Sequence, residues 1–356
     1  MPQVWQPEAI VNYGSQYLFE LGPCNVTVPT EYDPALSSTS VVISNHSSEY
    51  VYGRNSKILQ GGNYANDTLT AINDSGPIPN VQFALENFGI IRQLDNGSCV
   101  EGVTYDKAIL GLSPYTNTIQ GPPFRRDLYD TGKVMTKAMV MWFDKHLGSL
   151  GRLTGGVLFG AIDTSKYTGP LVQVPNLIEQ GEIGFYVLKP TVTFNGHSFT
   201  LDQNVTCLID SGTHADYLPF GYDGNATSEF FSASRLINYY GVVVYNGPCE
   251  SIPQNLTMGY TFLGVNANQN ITVDVLLKNY ARGSPNFNES LGDVCFLNME
   301  IDGCTFGAPF LSGALLAVDD EDGLIALAQG GVSEEGSGLD VKSLHVLEAG
   351  ETFDTV

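Results

Sequence analysis

Cys207-Leu208-Ile209-Asp210-Ser211-Gly212-Thr213 is the stretch on which the fold of this chain turns. Apolar residues lead up to a single carboxylate, and a small hydroxyl residue and a glycine follow at once. The apolar part reads as a strand, and Ser211-Gly212 bends the chain sharply at its end. Such a bend pushes the Asp210 carboxylate out of the end of a sheet, with neighbouring donors holding its orientation. Taken alone, Asp-Ser-Gly fits equally an ordinary turn in which the aspartate bonds its own backbone. The rest of the chain decides between the two.

Outward from this point the pattern is one of short strands and tight turns. Strand-like stretches recur at Ala9–Val11, Glu49–Tyr52, Val81–Leu85, Gly156–Phe159, Phe185–Val187, Val205–Ile209, Gly241–Tyr245, Ile271–Leu276 and Leu324–Ala328. Turn residues separate them, as at Asn73–Pro79 and Gly221–Asn225. The 39 Gly, 18 Pro, 18 Tyr and 18 Phe of the 356 residues suit that reading. One helix is expected, over Val134–Leu147, where Leu, Met, Trp and Phe form a broad apolar stripe that packs on a core. The length allows two domains with separate cores. The end of the chain, from Gly330 to Val356, is rich in Gly, Ser and acids with little periodicity, and reads as mostly disordered.

Sixteen Lys plus Arg against 38 Asp plus Glu give a net charge of -22. A nucleic-acid polyanion would be repelled, and no basic patch with interleaved aromatics is present. The acidity suits an acidic medium, where carboxylate repulsion is titrated away; a simply soluble surface would read the same. Asn-X-Ser/Thr begins at Asn25, Asn45, Asn66, Asn73, Asn96, Asn204, Asn225, Asn255, Asn270 and Asn288, which points to the secretory pathway and glycosylation. No apolar run is long enough for a membrane span. Met1 is followed directly by Pro2, Gln3 and Val4, so no export signal opens the chain, which is expected to begin late, through processing or a misplaced start.

Placed in order, several segments resemble those of the pepsin-like aspartic protease family. Cys207–Thr213 resembles its second active-site motif. Tyr32-Asp33-Pro34 with Ser37-Ser38-Thr39 is similar to the segment after its first active-site strand. Tyr52-Gly53 resembles the start of the hairpin flap that closes over substrate, and Asp67-Thr68-Leu69 its return strand. Ile109-Leu110-Gly111-Leu112 is similar to an apolar-apolar-Gly strand of the first lobe, with Tyr105-Asp106 one residue further upstream than usual. Gly155-Gly156 through Phe159-Gly160, Asp163 and Lys166-Tyr167-Thr168-Gly169 match closely, as do Phe306-Gly307, Phe310-Leu311 and Val318-Asp319 through Ala326-Leu327-Ala328.

The resemblance implies an all-β, bilobal acid protease fold with a few short helices. Its lobes would be 1–178, lacking the first strands, and 179–329, followed by the acidic disordered tail 330–356. It implies an extended polypeptide as substrate or ligand, no cofactor, no metal and a monomer. It implies two carboxylates, one from each lobe, that share a proton because both cannot be ionised at close range. One takes a proton from a water that attacks the peptide carbonyl, and the other gives a proton to the carbonyl oxygen. The pair titrates as a unit, so such enzymes work in acid.

One half of that pair is altered. Where the family has Asp-Thr-Gly-Ser in its first motif, this chain has Asn12-Tyr13-Gly14-Ser15. Gly14 and Ser15 keep the turn. Asn12 cannot ionise, and Tyr13 replaces the small hydroxyl residue that would bond across to the other lobe. Phe19 stands where the family often has Trp. The sequence therefore leaves two functions open: an impaired endopeptidase working with Asp210, or a peptide-binding protein without turnover.

Six cysteines, none in a CxxC pair, fit disulfides in an oxidising compartment, either secreted or inside the secretory lumen. The resemblance implies Cys249–Cys295 in the second lobe and then Cys24–Cys99 in the first. It sets Cys207 and Cys304 on neighbouring strands, either bridged or as a free buried thiol pair. The five histidines, His46, His146, His197, His214 and His345, show no metal spacing. His214 follows the Asp210 turn and reads as a plain loop histidine rather than one that tunes Asp210. There is no Gly-X-Ser-X-Gly elbow, phosphate-cradling loop or dinucleotide fingerprint.

Overall fold

A computed structural model gives the fold. It describes residues 9–12, 25–26, 32–43, 48–52, 57–61, 63–70, 76–86, 88–91, 108–114, 124–145, 153–177, 184–199, 205–220, 225–266, 268–283, 293–320 and 323–353. The chain divides into two compact units, Met1–Lys137 with Glu179–Ile183, and Ala138–Ile178 with Gly184–Val356. That division differs from the expected boundary at 178. The reason is pairing: Met139–Phe143 and Thr168–Val174 lie in one sheet with Ala314–Asp319 and Leu324–Gln329, so residues 138–178 share a core with the end of the chain.

The first unit holds a five-stranded sheet in the order Val41–Ile43, Asn63–Thr70, Pro77–Glu86, Ala9–Asn12, Ala108–Ile109. A four-stranded sheet has the order Asn25–Val26, Phe88–Ile91, Lys57–Gly61, Ser48–Tyr52. Tyr64, Ala65, Ile78, Val81, Phe83 and Leu85 form the core of the larger sheet. A bulge interrupts its central pairing between Asp67 and Leu69, and Asn80 opposite takes a positive φ of 58°, a conformation that Asn tolerates better than most side chains. The short helix Phe124–Asp130 buries Phe124 and Leu128. Its fully buried Arg125 donates to the carbonyls of Leu112, Ser113 and Lys137.

The second unit is built on more sheet. One sheet runs Gly155–Phe159, Met139–Phe143, Ala314–Asp319, Leu324–Gln329, Thr168–Val174. Another runs Phe185–Leu188, Thr206–Ile209, Thr305–Phe306, Asp216–Leu218, Cys295–Ile301, Val242–Tyr245, Ile237–Tyr239, with Ala281–Gly283 also on Cys295–Ile301. A third, His197–Phe199, Thr191–Phe194, Thr257–Leu263, Asn270–Leu276, shows the period of two most plainly: Ile271, Val273 and Val275 are buried while Thr272 and Asp274 face out.

Two expectations are corrected here. The helix expected over Val134–Leu147 is instead the strand Met139–Phe143, buried on both faces at Met139, Val140, Met141 and Trp142. A continuous apolar run of that kind carries no period that separates helix from strand. The tail expected to be disordered is also ordered. Leu344–Val346 pairs antiparallel with Ala161–Asp163, and Leu347 and Phe353 are buried against Ala138, Trp142 and Ile162. Asp144 accepts from the Ser333 hydroxyl at 2.8 Å and the Gly336 amide at 3.1 Å; Asp163 accepts from the Asp340 amide at 2.8 Å. Buried Lys166 donates to Ser337 and to the Gly338 carbonyl. The polar composition of the segment hid these bonds, because each polar group finds its partner far back in the sequence.

Cys207–Cys304 and Cys249–Cys295 are disulfides. Leu208 lies opposite Thr305 in a parallel pair, which puts Cys207 beside Cys304 and excludes the free-thiol alternative. Cys24 and Cys99 lie outside the described residues. The Cys207–Cys304 bridge closes a separation of 97 residues, so replacing both cysteines with alanine is expected to lower the unfolding free energy by about 3–4 kcal/mol, measured by urea titration under non-reducing conditions.

Candidate active site

Asp210 stands one residue past the strand Thr206–Ile209. That strand runs antiparallel to Phe185–Leu188 and parallel to Thr305–Phe306, and the Asp210 amide continues the ladder by donating to the Phe306 carbonyl at 2.8 Å. Ile209 is buried beneath it, while Ser211 and Gly212 are exposed. The bend therefore does what the sequence implies: it ends an apolar strand and presents one carboxylate beside an open turn. The Gly212 amide donates to Oδ1 at 2.7 Å and the Thr213 hydroxyl to Oδ2. Asp210 is itself only 3% exposed. Burial pushes its carboxyl up to about 6, against the pull of the Thr213 hydroxyl and the Gly212 and Thr213 amides.

A second carboxylate lies deeper. Asp216, at the start of the strand Asp216–Leu218, is fully buried and accepts from Tyr280, Gly307 and Phe310. Burial raises it to about 7 in spite of those three bonds. Sequence reading missed it. The available signal was an acid in the segment Ala215–Leu218, whose neighbours Ala215 and Leu218 are both buried.

In the first unit, Asn12 ends the strand Ala9–Asn12. That strand runs parallel to Phe83–Glu86 and antiparallel to Ala108–Ile109, so, like the strand leading into Asp210, it has one parallel and one antiparallel neighbour. Tyr13, Gly14 and Ser15 lie outside the described residues, as does Gly53. Tyr52 ends the strand Ser48–Tyr52 and lies opposite Lys57 in an antiparallel hairpin. The return strand of that hairpin is Lys57–Gly61, which corrects the expectation of Asp67–Leu69; those residues belong to Asn63–Thr70 in the other sheet.

Asp67 has a different role, which joins two of the quoted motifs. It accepts from the Tyr32 hydroxyl at 2.5 Å, the Thr39 hydroxyl and the Thr68 amide. Asp33 caps the one-turn helix Pro34–Leu36 by accepting from the Ala35 amide at 2.9 Å. Burial opposes the charge on Asp67, but the bonds from Thr39, Tyr32, Ser37 and Thr68 outweigh it and hold the carboxyl at about 2.

These shifts set a pH profile. Asp210 and Asp216 hold protons in the folded state that the unfolded chain has already lost, so their contribution to stability is complete below about pH 4 and is lost as pH rises through 6 to 7. Asp67 acts oppositely: its contribution is present above about pH 4 and is lost as pH falls towards 2. The expected thermal midpoint is highest near pH 4 and falls towards pH 7. Asp210→Asn removes part of that fall, at most about 3 kcal/mol, in melts recorded across the range.

Comparison with known proteins agrees with this architecture. The family model described as eukaryotic aspartyl protease matches residues 15–330, beginning just past Asn12. A probable aspartic-type endopeptidase, opsB of Aspergillus fumigatus, is 28% identical over 257 residues, covering 70% of this chain and 48% of that protein. Pepsin A of Canis lupus familiaris is 26% identical over 254 residues, covering 70% and 61%. Candidapepsin-2 of Candida parapsilosis is 29% identical over 123 residues, covering 34% and 28%. The chain thus spans about half the length of the opsB protein. From its Asp210 turn to the closing strands of its second unit, this chain belongs to the eukaryotic aspartyl protease family.

Proposed function

We propose that this protein recognises an extended polypeptide in acid through Asp210, and that peptide-bond hydrolysis is crippled because Asn12 holds the place of the partner carboxylate. The observation that carries the reading is the buried Asp210 carboxyl, raised to about 6 and aimed by Gly212 and Thr213. In acid it is neutral and can donate to a peptide carbonyl, a bond the ionised form cannot make. Hydrolysis needs in addition a group that takes a proton from the attacking water. The amide of Asn12 holds water but does not accept its proton. Recognition then outlives turnover.

The same reading has the chain pass through the secretory pathway as a glycosylated monomer. The sequon asparagines Asn225, Asn255 and Asn270 are exposed, which supports glycan attachment there. Among the described residues no helix is long and apolar enough to cross a membrane.

The test is binding of pepstatin, a statine-containing peptide, at pH 4. The wild type is expected to bind it, and Asp210→Asn to weaken the affinity at least about tenfold, the worth of a lost charge-assisted or neutral hydrogen bond in a desolvated site. Equal affinity in the two proteins, or none in the wild type, would sink the reading.

A further inference from the structure

Asp216 is a buried carboxylate that the proposed reaction does not use. Its Oδ1 accepts from the Gly307 amide at 2.7 Å and the Phe310 amide at 3.3 Å, and its Oδ2 from the Tyr280 hydroxyl at 2.8 Å. The Tyr280 oxygen lies 2.8 Å from that of Tyr260, and both side chains are fully buried. Since the proton of Tyr280 points to Asp216, Tyr260 donates to Tyr280, and the whole chain of donors is aimed at one carboxylate. The rings of Phe306 and Phe310 pack edge-on against Tyr260 and tilted against each other, and Phe262 packs against both of them. A carboxylate in such a place is costly, and an apolar side chain would fill the space at lower cost. Packing alone therefore does not account for it.

The geometry around it does. The Gly307–Phe310 turn that Asp216 holds is continuous with the strand Thr305–Phe306, which pairs in parallel with the strand leading into Asp210. Phe306 accepts from the Asp210 amide, and the Ala308 amide donates to the Thr213 carbonyl at 2.8 Å. A Cβ on Gly307 would lie 2.4 Å from the Thr213 oxygen and 2.5 Å from the Ala215 oxygen, so the two segments touch backbone to backbone. Thr213 in turn gives its hydroxyl to Asp210. Hydrogen bonds and backbone contact thus connect the buried carboxylate to the presented one.

We propose that Asp216 is a positioning residue: its buried carboxylate pins the Gly307–Phe310 turn and, through Thr213, fixes the aim of Asp210. The inference concerns the site of the proposed function, but it is tested on the loop itself, without peptide. A protein that binds no polypeptide would therefore defeat the proposed function and leave this inference standing.

Asp216→Asn and Tyr280→Phe in the full chain provide the test, with two measurements on each. Hydrogen exchange over residues 208–213 is expected to quicken about tenfold or more in Asp216→Asn, and less in Tyr280→Phe, with the strands Ala314–Asp319 and Leu324–Gln329 unchanged. The titration midpoint of Asp210, read as the pH dependence of the melting difference between each variant and its Asp210→Asn double variant, is expected to move up from about 6 as the Gly212 and Thr213 donors lose their aim. Exchange that rises evenly through the unit, or folded variants with both measurements unchanged, would overturn the proposal. If Asp216→Asn does not fold, Tyr280→Phe decides by the same two measurements.

Discussion

An Asn12→Asp variant is expected to cleave a denatured protein substrate between about pH 3 and 6 at least 10³-fold faster than the wild type. On the proposed reading, Asn12 and Asp210 stand at the positions of the family's two carboxylates, which act as one acid–base unit. Loss of one member of such a unit costs at or beyond the upper end of the ~10²–10⁴ range for a general acid or base, because neither works alone. A second carboxylate restores the shared proton: the ionised partner deprotonates water, the neutral one protonates the carbonyl oxygen, and no other reactant is needed. Cleavage by the variant should be blocked by pepstatin and abolished by adding Asp210→Asn. An Asn12→Asp protein that folds and binds pepstatin yet stays silent would show that Tyr13 also blocks catalysis.

The second large effect concerns the end of the chain. Deleting residues 333–356 is expected to lower stability by about 5 kcal/mol or more, which for a unit of this size moves the melting midpoint by roughly 10–20 °C. The deletion removes Leu347 and Phe353 from a core shared with Trp142 and Ile162, at about 2–5 kcal/mol for each large side chain. It also strips the Ser337 and Gly338 acceptors from buried Lys166, and the Ser333 and Gly336 donors from buried Asp144, leaving charge unpaired. Thermal melts of the full and shortened chains decide it; a loss of only a few degrees would mean that the segment lies on the surface without supporting it.

The Cys207–Thr213 stretch was legible because its meaning is local. An apolar strand, a carboxylate, a small hydroxyl and a glycine dictate a strand end and a bend whatever surrounds them, and the structure has both. The pairing of Cys249 with Cys295 was legible through the order of motifs, which also set Cys207 and Cys304 on neighbouring strands but left open whether they are bridged. What could not be read is what depends on distant partners. Met139–Phe143 looks helical in isolation and is a strand because Gly155–Phe159 and Ala314–Asp319 flank it. The acidic end of the chain looks unstructured until Asp144, Asp163 and Lys166 are seen to bind it. Asp67 was read as part of a flap strand, whereas its place is set by Tyr32 and Thr39. Asp216 gave little sign at all, since a buried acid is recognised by its donors, which come from residues 280, 307 and 310.

The most direct test of the central claim is the wild-type protein alone: cleavage of a denatured substrate across about pH 3–6, beside pepstatin binding at the same pH. Binding without cleavage above the uncatalysed background is the expected result. Efficient cleavage that pepstatin blocks and Asp210→Asn abolishes would contradict it, because a single carboxylate at position 210 would then be enough for turnover.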